Sequence, residues 1–576
     1  MIMRIISKPS KLKIFSLVLI MLSTSKIVIG SDTLKTLNNS EVKYTLLKTP
    51  ALPLMGIVMF TKSKIYPDLD PYPNNSEIPV IVQMYKGLHV VGNVVGKEME
   101  ESNLLWKKLR ENKPEFMILP YFQSTLSAEL QVSLKIAEED PLNMISMYNE
   151  GSIEIGLSTN TEKFKIIPAN GKRGFGLKAS TTTNNISKNI TEYISIFRIG
   201  NELFKIIEVD KLTNEVTILR GYKNTKAETH PTGSMVLAPV YRGKKDSKEG
   251  IYGDASSYPD CSITEANKKL EYHLRLDSKQ STELLAIKGA ALIQRGASGL
   301  WLDLTSPGIF IPCNAYGEKV IPWNFELGEE YNSTSYLIHQ ELKVSKLRDL
   351  IQQKTGIMPQ IVANNNGAGK YFEKGGGGIK LVSSTTQKPV PINGVVLEAA
   401  FSFYQITEWQ KIYIWKTNLA TLIHGSQNKY PVWPWLKNVR YAYLPMTKNE
   451  ESNRYQFFDY CSTLLGYEKD AGIVCPIPLH WVDNKGVRTL NLPEYLFYDL
   501  GDPIERVRFD ELEKMLFTGK NTYIRKWSKA IVLVNPADVD DSFISVPKGY
   551  VDPTINKEVS QVSMPAHTGK ILLKIE

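Results

Sequence analysis

Cysteine is scarce in this chain: Cys261, Cys313, Cys461 and Cys475 are the only four in 576 residues. Their spacings match no zinc pattern. In an oxidising compartment they allow up to two disulfides, in three pairings, and buried free thiols are the alternative. Histidine is almost as sparse, and none of the seven forms His-Glu-x-x-His, which argues against a zinc protease. No Gly-x-Ser-x-Gly elbow is present, so a serine hydrolase of that type finds no support. Phosphate loops are missing as well. Gly367-Ala-Gly369-Lys370 lacks the Ser/Thr that would hold magnesium, Gly171–Gly176 does not open a helix after a strand, and Gly375–Gly378 reads as a loop. Charge of one sign is nowhere blocked. The net charge of +9 comes from 69 basic against 60 acidic residues scattered along the chain. With no nucleic-acid module in view, no nucleic-acid partner is expected.

Long apolar runs are absent too. Only Ile14–Leu22 approaches one, and nine helical residues rise about 14 Å, under half a hydrocarbon core of roughly 30 Å. Arg4, Lys8, Lys11 and Lys13 precede it and Gly30-Ser31 follows, the pattern of a secretory signal peptide over residues 1–30. The alternative is an uncleaved anchor continued through Ile27-Val-Ile29. We expect a secreted chain without stable membrane insertion after the leader is removed. Asn38, Asn74, Asn185, Asn189 and Asn332 each open an Asn-x-Ser/Thr triplet, in line with export and glycosylation.

What the chain does have is a rhythm. Short apolar runs recur at Leu54–Phe60, Phe116–Phe122, Val236–Tyr241, Tyr272–Asp277, Gly299–Asp303, Gln360–Asn364, Gly394–Glu398, Arg440–Leu444 and Ala471–Cys475. Helical periodicity fills intervals such as Glu98–Glu111, Ser281–Arg295, Tyr336–Lys354, Glu408–Ile423 and Ser452–Gly466. Near-continuous apolar strands alternating with amphipathic helices predict a parallel sheet covered by helices. Seven to nine such units fit an α/β fold of the (β/α)8 TIM-barrel type better than an open sheet, which often carries a dinucleotide fingerprint. Residues 150–235 break the rhythm with short alternating strands and predict a small inserted antiparallel β module. The division is then 31–149 for the first part of the barrel, 236–520 for its remainder, and 521–576 for a C-terminal β-sandwich.

In such a barrel the strand C-termini face the active site. Asp277, Asp303, Asn364 and Glu398 each close an apolar run. A carboxylate there is either a helix cap or ion-pair partner, or a working acid. Two flanking one cleft are the minimum equipment for cutting a glycosidic bond: one ionised as nucleophile or base, the other protonated to serve the leaving oxygen. Trp301, Trp433, Trp435 and Trp481 fall in or near the strand-end segments, where aromatic faces would stack on a pyranose; Trp106, Trp409 and Trp415 read as core. His480 follows a late strand; a hydrogen bond to a sugar hydroxyl is its functional reading, and a satisfied structural histidine its bland one. His339 reads as structural.

Gly296-Ala-Ser-Gly-Leu-Trp-Leu-Asp303, Gly394-Val-Val-Leu-Glu398-Ala399 and the C-terminal Val534-Asn-Pro536, Val546–Asp552 and Met564–Leu572 together resemble one family. It is the set of family-15-like hypothetical glycosyl hydrolases, TIM-barrel proteins unrelated to glucoamylases. The resemblance covers roughly residues 236–576. It implies a (β/α)8 barrel and glycosidase activity, with Asp303 on the nucleophile or base strand and Glu398 on the acid/base strand. Asp277, Trp301, Asn364, Trp433, Trp435 and Trp481 are then the expected substrate-binding residues. One departure is Ser298, where the family pattern has Asp. The expected partner is a carbohydrate, and this chemistry calls for neither metal nor cofactor. Two rival readings are a carbohydrate-binding pseudo-enzyme and a cell-surface interaction protein acting through the inserted module, since a barrel alone licenses no activity.

Overall fold

The structure is a computed structural model. It describes residues 44–59, 73–91, 97–123, 140–169, 196–210, 213, 215–242, 271–303, 320–364, 392–397, 400–402, 409–429, 432–434, 436, 446–447, 450–483 and 485–576.

Eight parallel strands form the centre: β1 (Leu54–Met59), β2 (Tyr85–Val91), β3 (Met117–Gln123), β4 (Gly299–Asp303), β5 (Gln360–Asn364), β6 (Gly394–Leu397), β7 (Val432–Pro434) and β8 (Cys475–Pro478). Their spatial order is β7-β6-β5-β4-β3-β2-β1-β8. Leu436, just past β7, donates its N–H to the Pro476 carbonyl of β8 at 2.8 Å, so the two ends of the sheet meet. This is the (β/α)8 barrel order, each strand beside its neighbours in sequence. Six helices of seven residues or more are described: α1 (Ile78–Met84), α2 (Lys97–Asn112), α3 (Lys279–Gln294), α4 (Ser333–Thr355), α5 (Ile412–Gln427) and α6 (Glu450–Gly466).

Strand alternation explains the apolar runs. Leu54, Val58, Leu88, Val90, Ile118, Leu300, Leu302, Ile361, Val395 and Val432 join the large core under the helices. Met55, Ile57, Val91, Leu119, Trp301, Val362, Val396 and Trp433 fill the barrel interior as a separate cluster. Both faces are buried, so apolar residues dominate both. Close approach also selects glycine: a Cβ on Gly299 would lie 1.9 Å from the Gln360 carbonyl oxygen of the next strand.

Several strands differ from the expected set. Met235–Pro239 belongs to the inserted module, and Glu271–Tyr272 pairs antiparallel with Tyr241–Arg242, so neither is a barrel strand. Their places are taken by β2, whose apolar run is broken by Lys86, Gly87 and His89, and by β7, a Val-Trp-Pro segment that reads as a loop. The last strand begins at Cys475 rather than ending there. Residues 440–444 lie outside the described residues.

Between β3 and α3 the chain builds a closed antiparallel barrel from Met147–Ile153, Lys163–Pro168, Ile196–Ile199, Glu202–Asp210, Glu215–Leu219 and Met235–Pro239. Its core is its own: Ile153, Phe164, Phe197, Phe204, Val216 and neighbours. Glu202 is fully buried there and accepts from Arg220 Nε and Nη2 (both 2.7 Å), the Gly221 and Glu228 N–H groups (both 3.0 Å) and His230 Nε2 (2.9 Å). Burial pushes this carboxyl up, but these donors outweigh it and hold the group down at about 2.

At the C-terminus a five-stranded antiparallel sheet (Tyr523–Lys526, Ala530–Asn535, Tyr550–Asp552, Lys557–Glu558, Thr568–Lys574) faces the pair Asp541–Ser545 and Gln561–Met564 across Ile531, Leu533, Ile544, Met564 and Leu572. Its other face is continuous with the main core and packs on α6. Buried Arg525 closes that helix, donating to the carbonyls of Leu464 (3.2 Å), Leu465 (2.9 Å) and Tyr467 (2.6 Å) and to Glu468 (2.7 Å). A cation on the carbonyl end of a helix satisfies orphan acceptors and opposes the negative end of the dipole.

Asn332 of one triplet is the N-cap of α4, its side chain accepting from the Thr334 and Ser335 N–H groups, and Asn74 accepts from Ser76 and Glu77 ahead of α1. Asn332 is thus a helix cap, whereas Asn74 closes a turn ahead of Glu77, the N-cap of α1. Cys461 and Cys475 are buried free thiols; Cys261 and Cys313 lie outside the described residues. Among the described residues no helix is long and apolar enough to cross a membrane.

Candidate active site at the barrel mouth

Asp303 ends β4, Asn364 ends β5 and Glu398 follows Leu397, the last residue of β6. The register ties them together: Leu302 pairs with Ala363, and Asn364 with Val396. Asp303 and Asn364 therefore sit at the C-terminal ends of two neighbouring strands, on one rim. Asn364 is buried. The Asp303 side chain, Glu398 and Trp435 lie outside the described residues.

Beneath that rim the interior is closed by aromatic rings. His89 stacks on Trp301 with centroids 3.8 Å apart and planes 17° apart, and its Nδ1 lies 3.0 Å from the Leu119 carbonyl. Trp433 lies 6.3 Å from Trp301 and donates Nε1 to the Gly472 carbonyl at 3.1 Å. Trp301 and Trp433 are both buried and form a packed aromatic floor. Trp481 is likewise enclosed, in a short strand paired with Arg488–Leu490.

Asp277 is not at a barrel strand end. It precedes Ser278, the N-cap of α3, and its carboxylate takes both prongs of Arg275 (3.0 Å each) and the Phe325 N–H (2.9 Å). The guanidinium groups of Arg275 and Arg198 lie 3.9 and 4.3 Å from the Phe325 ring centroid, and both donate to the Leu142 carbonyl. A carboxylate committed this way ties the inserted module to the barrel. Nearby Lys343 is buried on α4 with its ammonium 3.2 Å from the Arg275 carbonyl, and burial lowers its pKa to about 7 against the opposing pull of Asp277.

A polar group that strand-end reasoning overlooks lies on the β1/β8 side. Glu77, on the segment between β1 and α1, meets His480 Nε2 at 3.4 Å and Arg488 Nη2 at 3.0 Å. Burial raises its pKa, yet His480, the Asn74 N–H and Arg488 together hold it below the usual carboxylate range. Glu77 is an anion fixed at the mouth, and His480 is occupied by it. No local signal marks Glu77, because it works from a connection rather than from a strand end. Among the described residues no group of three or more His, Cys, Asp or Glu is placed to hold a metal.

No protein-family model matches the chain, and no curated protein does. Solved structures match over most of its length. A "Family GH13_31 enzyme" is 12% identical, with 91% of this chain and 99% of that chain covered and a TM-score of 0.40. The α-amylase from H. orenii is 10% identical, covering 91% and 99%, at 0.34. The glycoside hydrolase domain of PelA from Pseudomonas aeruginosa is 8% identical, covering 74% and 95%, at 0.30. The barrel assignment here rests on the strand order itself. No family model places the chain in the family-15-like set.

Proposed function

We propose that this chain is an exported glycoside hydrolase that cuts O-glycosidic bonds of an oligo- or polysaccharide with Asp303 and Glu398, and that it belongs with the family-15-like set. One observation carries this reading. Asp303 closes β4, Asn364 closes β5, and Glu398 is next in sequence after Leu397, the last residue of β6; strand C-terminal ends are where barrel enzymes do their chemistry.

In this reading Asp303, ionised, attacks the anomeric carbon or activates water. Glu398, protonated, delivers its proton to the leaving oxygen. Asn364 holds a ring hydroxyl, and Trp435 supplies the stacking surface. The floor of Trp301, His89 and Trp433 closes the barrel below, so the substrate stays at the rim. A carboxyl separation of about 5 Å gives retention of configuration and roughly 6.5–9.5 Å gives inversion.

The test is hydrolysis of a panel of oligo- and polysaccharides by wild type, Asp303→Asn and Glu398→Gln. Both substitutions keep size and remove the ionisable group. Turnover should fall by about three orders of magnitude or more in each variant, and undiminished turnover in either sinks the assignment of that residue.

A further inference from the structure

The outer layer of the C-terminal sandwich is the strand pair Asp541–Ser545 and Gln561–Met564, which turns Ile544, Val562 and Met564 inward. Its register slips between Asp541, paired with Met564, and Ile544, paired with Val562, so Ser542 and Phe543 together face the single Ser563. A bulge of this kind re-aims a side chain. Here it leaves Phe543 70% exposed, with its backbone in the left-handed region at φ 59°.

Both features count against the folded chain. A left-handed backbone is a steric outlier for a bulky residue, and glycine or asparagine would sit there at less cost. A ring left in water also forgoes the stabilisation of burial. A lone exposed apolar side chain on an ordinary strand calls for no explanation. This one, however, is held out by neighbours that are firmly fixed. Buried Asp541 accepts from the Asn521 N–H (2.7 Å), Asn521 Nδ2 (3.2 Å) and the Thr522 hydroxyl (2.7 Å), and Ile544 is fully buried on the other side. The ring is presented from a rigid base, and backbone strain upheld in that way is a mark of functional positions.

The surroundings of the ring define what it can meet. Ser542, Ser545, Gln561 and Ser563 are the other exposed residues of the pair, so this face offers hydroxyl and amide groups and no formal charge. A strongly charged partner finds no complement there. One ring with four short polar neighbours is also far smaller than the roughly 800 Å² a side of a stable protein interface. It matches a sugar: a pyranose lays its C–H face on an aromatic ring and turns its hydroxyls to side-chain donors and acceptors. We propose that Phe543, with Ser542, Ser545, Gln561 and Ser563, forms a binding site for a neutral polysaccharide on the C-terminal sandwich, apart from the barrel rim. The site stands on its own residues and does not depend on Asp303 or Glu398.

The experiment measures adsorption of the full chain to amylose, cellulose, mannan and chitin, with alginate as the anionic control, for wild type, Phe543→Gly and Phe543→Tyr. Wild type should bind at least one neutral polymer and leave alginate free. Phe543→Gly should weaken that binding about tenfold or more, and Phe543→Tyr should keep it. The unfolding temperature of Phe543→Gly should be unchanged or raised, because glycine adopts this backbone without strain. Binding to none of the neutral polymers, binding to alginate instead, or binding undiminished in Phe543→Gly would overturn the proposal. A marked fall in the unfolding temperature of Phe543→Gly would show a merely structural ring and overturn it too, as would a wild-type dimer in sedimentation that this variant dissociates. Hydrolysis separates the site from the rim: Phe543→Gly should keep wild-type turnover of a small soluble aryl glycoside and lose turnover on the adsorbed polymer. If the chain hydrolyses no glycan at all, the rim assignment fails, while adsorption still judges Phe543 alone.

Discussion

Glu202→Gln places the largest measurable load on the inserted module. The native carboxylate is fully buried and receives five donors, two of them from Arg220. Its pKa stands at about 2 rather than 4.5. At ~1.4 kcal/mol per decade that difference amounts to about 3 kcal/mol of stability. The amide keeps the shape but removes the charge and turns an NH2 group toward donors. Arg220, whose side chain is only 8% exposed, is left without its counter-ion. Removing one partner of a buried pair costs about 3–5 kcal/mol. Folding lowers this pKa, so the contribution is complete above about 4.5 and fades as pH falls toward 2. Exchange measured peptide by peptide separates the inserted module from the barrel and is the suitable assay. At neutral pH the strands Glu202–Asp210 and Glu215–Leu219 should exchange about a hundredfold faster in the variant, with the barrel strands unchanged. Between pH 4.5 and 2 the wild-type module should approach the variant. Equal protection at neutral pH, or parallel loss in both proteins on acidification, would refute the reasoning.

Arg525→Met should lower the unfolding temperature in calorimetry and cost about 3–5 kcal/mol, because Glu468 and the carbonyls of Leu464, Leu465 and Tyr467 lose a buried donor together. Lys343→Met should stabilise by roughly 1–4 kcal/mol at neutral pH, since a buried cation is replaced by an apolar chain of similar length. The sign follows from linkage: the folded pKa is about 7 and the ordinary value 10.5, so the unfolded chain holds more protons between them and this lysine makes wild-type stability rise with pH across that window. The variant should lack that rise; a slope identical to wild type would show that Lys343 does not titrate on unfolding.

The barrel was legible where strands are buried on both faces. Leu54–Met59, Gly299–Asp303 and Gln360–Asn364 read as apolar runs because helices cover one side and interior residues fill the other. β2 was hidden because His89, a polar residue, points into the interior and stacks on Trp301. β7 was hidden because a proline follows its Trp433, which looks like loop chemistry until the ring is seen inside the barrel. The rim positions of Asp303 and Asn364 follow from the same runs. Asp277 mimics them in sequence, since a carboxylate after apolar residues looks the same whether it lines a cleft or receives Arg275. The Glu77–His480–Arg488 group and the Ser402–Asp459 contact join residues hundreds or tens of positions apart, a relation that periodicity does not encode.

The two-carboxylate account is tested most directly by the pH dependence of kcat/KM on a glycan with a poor leaving group. Wild type should give a bell, its acidic limb set by ionisation of Asp303 and its alkaline limb by deprotonation of Glu398. In Glu398→Gln the alkaline limb should vanish while the acidic limb stays. A variant profile that keeps both limbs would contradict the assignment of Glu398 as the proton donor and, with it, the pairing across the rim.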